Sequence, residues 1–294
     1  VARVRKTAGE RVTDGAIWLS MWVAMAVTLY PFLYVFSMSI SDPQYVISQA
    51  VWLLPKGFSL GAYQRIFENE GVWVAYANTV LYTVAGTAVN VVMTMLAAYP
   101  LSRRMFFARN WIMIFITFTM FFGGGLIPSF LLIKELGLYD SRWVMIIPGA
   151  VSAFLIIIAR TFLQSIPEEL MESAKLDGAH DFVILAKIVI PLSKPIIAVL
   201  ALFYAVGHWN SFLTAMIYLP SAELQPLQLF LMKMLIQDAD ASMLQDMADA
   251  HERSLISIQI KYAMIIVAIL PILFVYPFLQ KHFAKGVLIG SLKE

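Results

Sequence analysis

The sequence predicts an all-α membrane protein with six transmembrane helices, and three observations carry that reading. Apolar residues make up 60% of the 294 positions and charged residues only 14%, whereas a soluble domain has about 45–50% and about 25%. Six windows contain no Asp, Glu, Lys or Arg, each 17 residues or longer: 17–37, 72–101, 111–133, 143–159, 195–219 and 262–279. About 17–25 such residues cross a hydrocarbon core of about 30 Å as a helix. The windows are continuously apolar and do not alternate, which excludes the strands of a membrane barrel. Helices also satisfy their own backbone groups in lipid. The same composition excludes a disordered chain, a disulfide scaffold and an ordinary cytosolic enzyme.

The first window follows Arg3, Arg5, Lys6 and Arg11. Its apolar stretch of about 21 residues exceeds the roughly 7–15 of a signal-peptide core, so it reads as a retained helix. The second carries a polar stripe, Tyr76, Asn78, Tyr82 and Asn90, near helical spacing; it faces either another subunit or a transport path. The third contains Gly123, Gly124 and Gly125 with Pro128 close behind. Each Gly costs about 1 kcal/mol of helix propensity relative to Ala, so a break or unwound turn is expected there. Such a break lines a cavity or serves close helix packing.

Lys and Arg number 14 in segments 1–16, 102–110, 160–194 and 280–294, and 7 in segments 38–71, 134–142 and 220–261. The richer side is the cytoplasmic one, which places both termini inside. The chain is then one membrane domain over 1–294, with external loops 38–71 and 220–261. The second loop has an apolar stripe through Leu227, Phe230, Leu231 and Met234. It either caps the helix ends or docks an external partner.

Several chemistries are absent. A net charge of +2 is too balanced for nucleic-acid binding. With no Cys and four scattered His, no thiolate zinc site or cysteine nucleophile is expected. The windows hold no carboxylate for proton coupling, and His208, their one near-neutral titrating group, reads as a hydrogen-bonded packing residue. No phosphate-binding G-x-x-x-x-G-K-[ST] and no hydrolase motif is present.

The informative segment is 165–195. Pro167 suits a helix first turn, and Glu168 and Glu169 sit near the positive end of its dipole. A helix over 167–176 is expected to stop at Asp177-Gly178, where Gly takes the left-handed turn. A second helix over about 181–189 is expected to end before Pro191. The product is a cytoplasmic finger with an apolar face from Leu170, Ala174, Leu176 and Ala179, suited to a groove on a partner.

Glu172-Ser173-Ala174, Gly178, Ile188 and Pro191 resemble the E-A-A…G…I-x-L-P loop of type I ATP-binding-cassette (ABC) importer permeases in residue type and spacing. Ser173 replaces the family's middle Ala and Ile190 its Leu. Asp177-Gly178-Ala179 is similar to the D-G-A of the sugar-importing branch. Trp209-Asn210-Ser211-Phe212 resembles the W-N-x-F of carbohydrate-uptake permeases. The segment 121–128 around the three glycines and the C-terminal Lys285–Ser291 resemble the oligosaccharide and polysaccharide subgroup, alginate permeases among them.

The resemblance implies a multi-pass permease subunit in the bacterial inner membrane. It would pair with a second homologous permease and take its cargo, an oligosaccharide, from an extracytoplasmic solute-binding protein. Two separate ATPase subunits would bind ATP and Mg, so this chain needs no cofactor and is no enzyme. Glu172, Ser173, Ala174, Leu176, Asp177, Gly178, Ala179 and Pro191 would couple to those subunits. Gly123, Gly124, Gly125, Trp209, Asn210 and Phe212 would lie on the substrate path. A polyanion such as alginate leads one to expect a basic residue there, and the windows offer none. Rival readings are a permease of this kind for a non-sugar solute, a Na⁺-coupled or passive sugar carrier, and a membrane scaffold.

Overall fold

The computed structural model describes residues 8–241 and 258–274. In chain order the helices are α1 Ala8–Ser39, α2 Pro43–Ile47, α3 Gly61–Glu68, α4 Glu70–Ser102, α5 Arg109–Phe121, α6 Leu126–Glu135, α7 Ala153–Gln164, α8 Glu169–Leu176, α9 Asp181–Leu192, α10 Lys194–Trp209, α11 Leu213–Tyr218, α12 Leu227–Ala241 and α13 Ile258–Phe274. No β-strand occurs among the described residues; Ser41 and Phe58 form one isolated bridge. Two single helices, Gly9–Ser39 and Glu70–Ser102, are long and apolar enough to cross a membrane. Two bent pairs pass the same test jointly: α5 with α6, at 113°, and α9 with α10, at 82°.

The chain divides into two compact units, Val1–Asn69 with Lys233–Ile269 and Glu70–Met232 with Leu270–Glu294. In the first, a polar strap holds the end of α1. Ser41 Oγ donates to the Ser37 carbonyl at 2.6 Å and accepts from Lys56 N at 3.1 Å. Asp42 caps α2 by accepting from Gln44 N at 2.9 Å, with Pro43 at the helix start, where its missing N–H is no loss. From α13, Gln259 Nε2 donates to the carbonyls of Ser39, Ser41 and Ser59 at 3.3, 2.8 and 3.4 Å. Met38, Val46 and Val51 close a small core with Tyr34 and Tyr262.

In the second unit, α4 is gripped by α7 and α10. Its polarity is inverted relative to a soluble helix. Asn78, Thr79, Asn90 and Thr94 are buried while Trp73, Val84 and Val92 are exposed. Lipid favours that arrangement, because a polar group facing hydrocarbon goes unsatisfied. The stripe predicted on this helix therefore turns inward. Asn78 Nδ2 donates to the Glu223 and Gln225 carbonyls at 2.7 and 3.2 Å. Tyr82 Oη donates to the Leu224 carbonyl at 2.8 Å, and Thr79 Oγ1 accepts from Leu227 N at 2.8 Å. The segment 223–227 is thereby fixed to α4, and α12 starts from that anchor.

Three windows differ from uninterrupted helices. Within 143–159, Arg142–Met145 is a 3₁₀ turn and the helix begins only at Ala153, capped by Ser152. Pro148 and Gly149 lie between, and neither favours a helix interior. Within 195–219 the helix stops at Trp209 and resumes as α11. Asn210 Nδ2 donates to the Val206 carbonyl at 2.9 Å and Ser211 Oγ to the His208 carbonyl at 2.7 Å, side-chain bonds that compete with the helix ladder. Within 111–133, residues 122–125 are not helical, and Gly125 sits at φ +84°; this is the break the glycines predicted. The last window coincides with α13 as far as Phe274, and 275–279 lie outside the described residues. In the segment 220–261, expected to be an external loop, Leu227 and Leu231 are buried on α12, while 242–257 are outside the described residues.

Candidate functional site

The finger begins at α8, two residues later than Pro167 suggested, and α8 ends in a Schellman closure. Ala179 N donates to the Ala174 carbonyl at 2.9 Å and Gly178 N to the Lys175 carbonyl at 3.0 Å. This closure satisfies the last carbonyls and needs a left-handed residue, which Gly178 supplies at φ +83°. Lys175 Nζ meets Asp181 Oδ1 at 3.1 Å across the turn. That pair is exposed and worth about 0–1 kcal/mol, so it is a guide for the turn more than a source of stability.

The second helix corrects the expectation of a stop before Pro191. α9 runs through Pro191 to Leu192 because Leu185–Val189 is a π-turn. Ile190 N donates to the Leu185 carbonyl, five residues back. In α geometry the Pro191 ring would strike the carbonyl four residues earlier; widening the turn moves that carbonyl aside. The chain then bends by 82° into α10.

The finger faces its own body more than expected. Met171, Ile184, Leu185 and Val189 are buried in one cluster with Met95 and Tyr99 of α4, Leu155 and Leu163 of α7, and Leu200 and Tyr204 of α10. Ala174, Ala179 and Ile188 pack against that cluster. Leu176, by contrast, is 89% exposed. Glu172, Ser173, Asp177 and Gly178 are exposed too. One face of the finger is thus cemented to the transmembrane helices, and the other, with Glu172 and Leu176, is free to meet a partner.

Arg103 was not singled out from sequence, although it is the first charge after the second window. Its Nη2 donates to the Leu163 carbonyl at 3.1 Å, its Nη1 to Met171 Sδ, and its Nε to Ser102 Oγ at 3.0 Å. Its guanidinium lies 5.2 Å from the centre of the Tyr99 ring. Burial lowers its pKa, opposed by Tyr99 and Glu168. It ties α4 to α7 and to the root of the finger.

The expected path residues fall in two places. Gly123, Gly124 and Gly125 form the joint between α5 and α6, and a β-carbon at any of them would meet nothing closer than 3.9 Å. Trp209 is buried, edge-on to Tyr76 with ring centres 5.9 Å apart. Asn210 is exposed just beyond it and Phe212 is 37% exposed. Below them is a polar lattice that sequence reasoning did not assemble. His208 Nε2 and Asn90 Oδ1 are 2.7 Å apart, and Asn90 Nδ2 donates to the Gly149 carbonyl. Tyr204 Oη is 2.6 Å from Thr94 Oγ1 and accepts from Ser152 N at 3.2 Å. His208 is a hydrogen-bonded packing residue, as expected. Among the described residues no group of three or more His, Asp or Glu is placed to hold a metal.

A helical membrane protein with an EAA-like finger rooted in its transmembrane core defines a transport permease. The chain belongs to the family of binding-protein-dependent transport system inner membrane components, which matches residues 71–289. It is 43% identical, over 97% of its length and 99% of the relative's, to the polygalacturonan/rhamnogalacturonan transport system permease protein YtcP of Bacillus subtilis (strain 168). It is 41% identical, over 99% and 98%, to Protein LplC of the same organism. Its fold matches a chain in the crystal structure of a bacterial ABC transporter involved in the import of the acidic polysaccharide alginate. That match has a TM-score of 0.87 and 34% identity, covering 96% of this chain and 100% of the other. The resemblance carried by residues 172–191 is thus confirmed at the level of the family. The C-terminal segment 285–291 lies outside the described residues.

Proposed function

We propose that this permease imports an acidic oligosaccharide or polysaccharide, driven by ATP hydrolysis in separate subunits. The chain would pair with a second homologous permease and two ATPase subunits that bind ATP and Mg. It would receive cargo from an extracytoplasmic solute-binding protein. Both termini and the finger would lie in the cytoplasm. The cargo class is supported by the relatives, whose names concern polygalacturonan, rhamnogalacturonan and alginate.

One observation carries the coupling: the finger's buried face shares a single cluster with α4, α7 and α10. Closely packed side chains transmit displacement because they cannot be compressed. A pull on the exposed Glu172–Ala179 face would therefore move the transmembrane helices as a body. Gly178 shapes the tip and Pro191 sets the exit into α10. Gly123, Gly124, Gly125, Trp209, Asn210 and Phe212 are the proposed path residues, giving a flexible joint and an aromatic and amide pair suited to hydroxyls.

Glu172→Lys is the test. It touches no buried contact, so membrane insertion and expression should be unchanged while uptake is lost and the ATPase subunit no longer co-purifies. Uptake near the parent rate would sink the coupling assignment.

A further inference from the structure

A cavity of about 600 Å³ opens at the end of α4, lined by Leu96, Pro100, Arg103, Phe106, Lys175 and Asp181 among others. Leu96 lies within the second uncharged window and Arg103 just beyond it, seven residues apart, or about 10 Å along a helix. The cavity therefore runs from the apolar end of α4 to the first charges beyond it. Its occupant must be apolar at one end and polar at the other.

The charge balance says which sign the polar end carries. Arg103 donates to three neutral acceptors: the Ser102 hydroxyl, the Met171 sulfur and the Leu163 carbonyl. Among the described residues no carboxylate forms an ion pair with it. The carboxylate on the cavity wall, Asp181, is already matched by Lys175 at 3.1 Å. The wall thus presents a half-buried cation with no carboxylate in contact, Glu168 acting on it only from a distance, above an apolar floor. Met105 and Phe107, 91% and 92% exposed in the adjoining loop, extend the apolar surface beside it, and Arg side chains among apolar and aromatic groups are the composition of a membrane interface.

We propose that this cavity holds one anionic phospholipid, its phosphate on Arg103 and an acyl chain against Leu96, Pro100 and Phe106. The lipid would then brace the corner where α4, α7 and the root of the finger meet. The proposal rests on the chain being a membrane-spanning permease and not on its cargo, so lipid binding and uptake are separate readouts.

The test is native mass spectrometry of the delipidated transporter complex titrated with phosphatidylglycerol or phosphatidylcholine. The expected result is one tightly held phosphatidylglycerol, preferred over phosphatidylcholine by about fivefold, the worth of one basic residue at an anionic surface. Leu96→Trp fills the floor without touching Arg103 and should remove the adduct. Arg103→Gln should leave an adduct without headgroup preference. Millimolar inorganic phosphate should not displace it, since phosphate alone has no apolar tail. Equal binding of both lipids, or an adduct that survives Leu96→Trp, overturns the proposal. So does a complex that retains no lipid while its ATPase subunits shield Lys175 and Asp181, which would give the surface to a protein partner.

Discussion

A β-carbon on Gly86 would lie 2.4 Å from His208 Nε2, and the imidazole cannot simply step back because Asn90 holds it at 2.7 Å. Gly86→Ala must therefore break that bond and leave a fully buried amide short of a partner. The expected loss is about 1–3 kcal/mol, read as a lower melting temperature in detergent. His208→Ala in the same chain removes the obstruction, so the double variant should recover most of the loss relative to the sum of the singles. Strict additivity would show that the glycine is not there to admit the histidine. Little of this was legible in the sequence. Asn90 stood out as polar on an apolar helix, but its partner is 118 residues away, and pairing across that distance leaves no local pattern. Gly178 was legible, because a left-handed helix end selects glycine from local chemistry alone.

Pro191 belongs to the scale of the element. Its position in α9 is possible only because the preceding turn is widened, and the helix then bends into α10. Replacing it by Ala restores an N–H and removes the need for the widened turn, in a position where proline costs about 3 kcal/mol in an ordinary helix interior. Pro191→Ala should therefore leave the melting temperature unchanged or raised while uptake falls, as the exit angle from the finger loosens. A melting temperature lower by several degrees would contradict this account of the π-turn. Apolar length was readable because it is a sum over many residues. Helix ends were readable only where one residue type dictates them. The interruption at 146–152 follows Pro148 and Gly149, whereas that at 210–212 depends on side-chain bonds to the backbone, made by Asn210 and Ser211 and settled by what surrounds them.

At the scale of the molecule, the distribution of Lys and Arg predicts which loops meet the cytoplasm. The sequence contains no cysteine, so one introduced thiol reports without background. Phe58→Cys and Phe107→Cys replace side chains that are 74% and 92% exposed. An impermeant maleimide added to intact cells (spheroplasts, if an outer envelope intervenes) should label the first at once. It should label the second only after permeabilisation. The reverse pattern would invert the proposed orientation and put the finger on the wrong side for an ATPase. The family was legible because its coupling loop must fit a foreign surface at fixed spacing. The segments 121–128 and 209–212 also pointed to the oligosaccharide and polysaccharide subgroup, the class that the names of the similar proteins carry.

The three carbonyls that Gln259 satisfies belong to Ser39, Ser41 and Ser59, 220, 218 and 200 residues earlier in the chain. A ribosome adding about 5–20 residues per second needs roughly 10–40 s to cover that distance. During that interval α1 has emerged while the strap at its end lacks its central donor. The first unit cannot mature before Glu70–Met232, the greater part of the second, has been synthesised, although it begins first. Birth order and completion order are thus opposite in this chain. A chain that ended before residue 259 would have its opening helix in place and the strap at that helix's end unfinished.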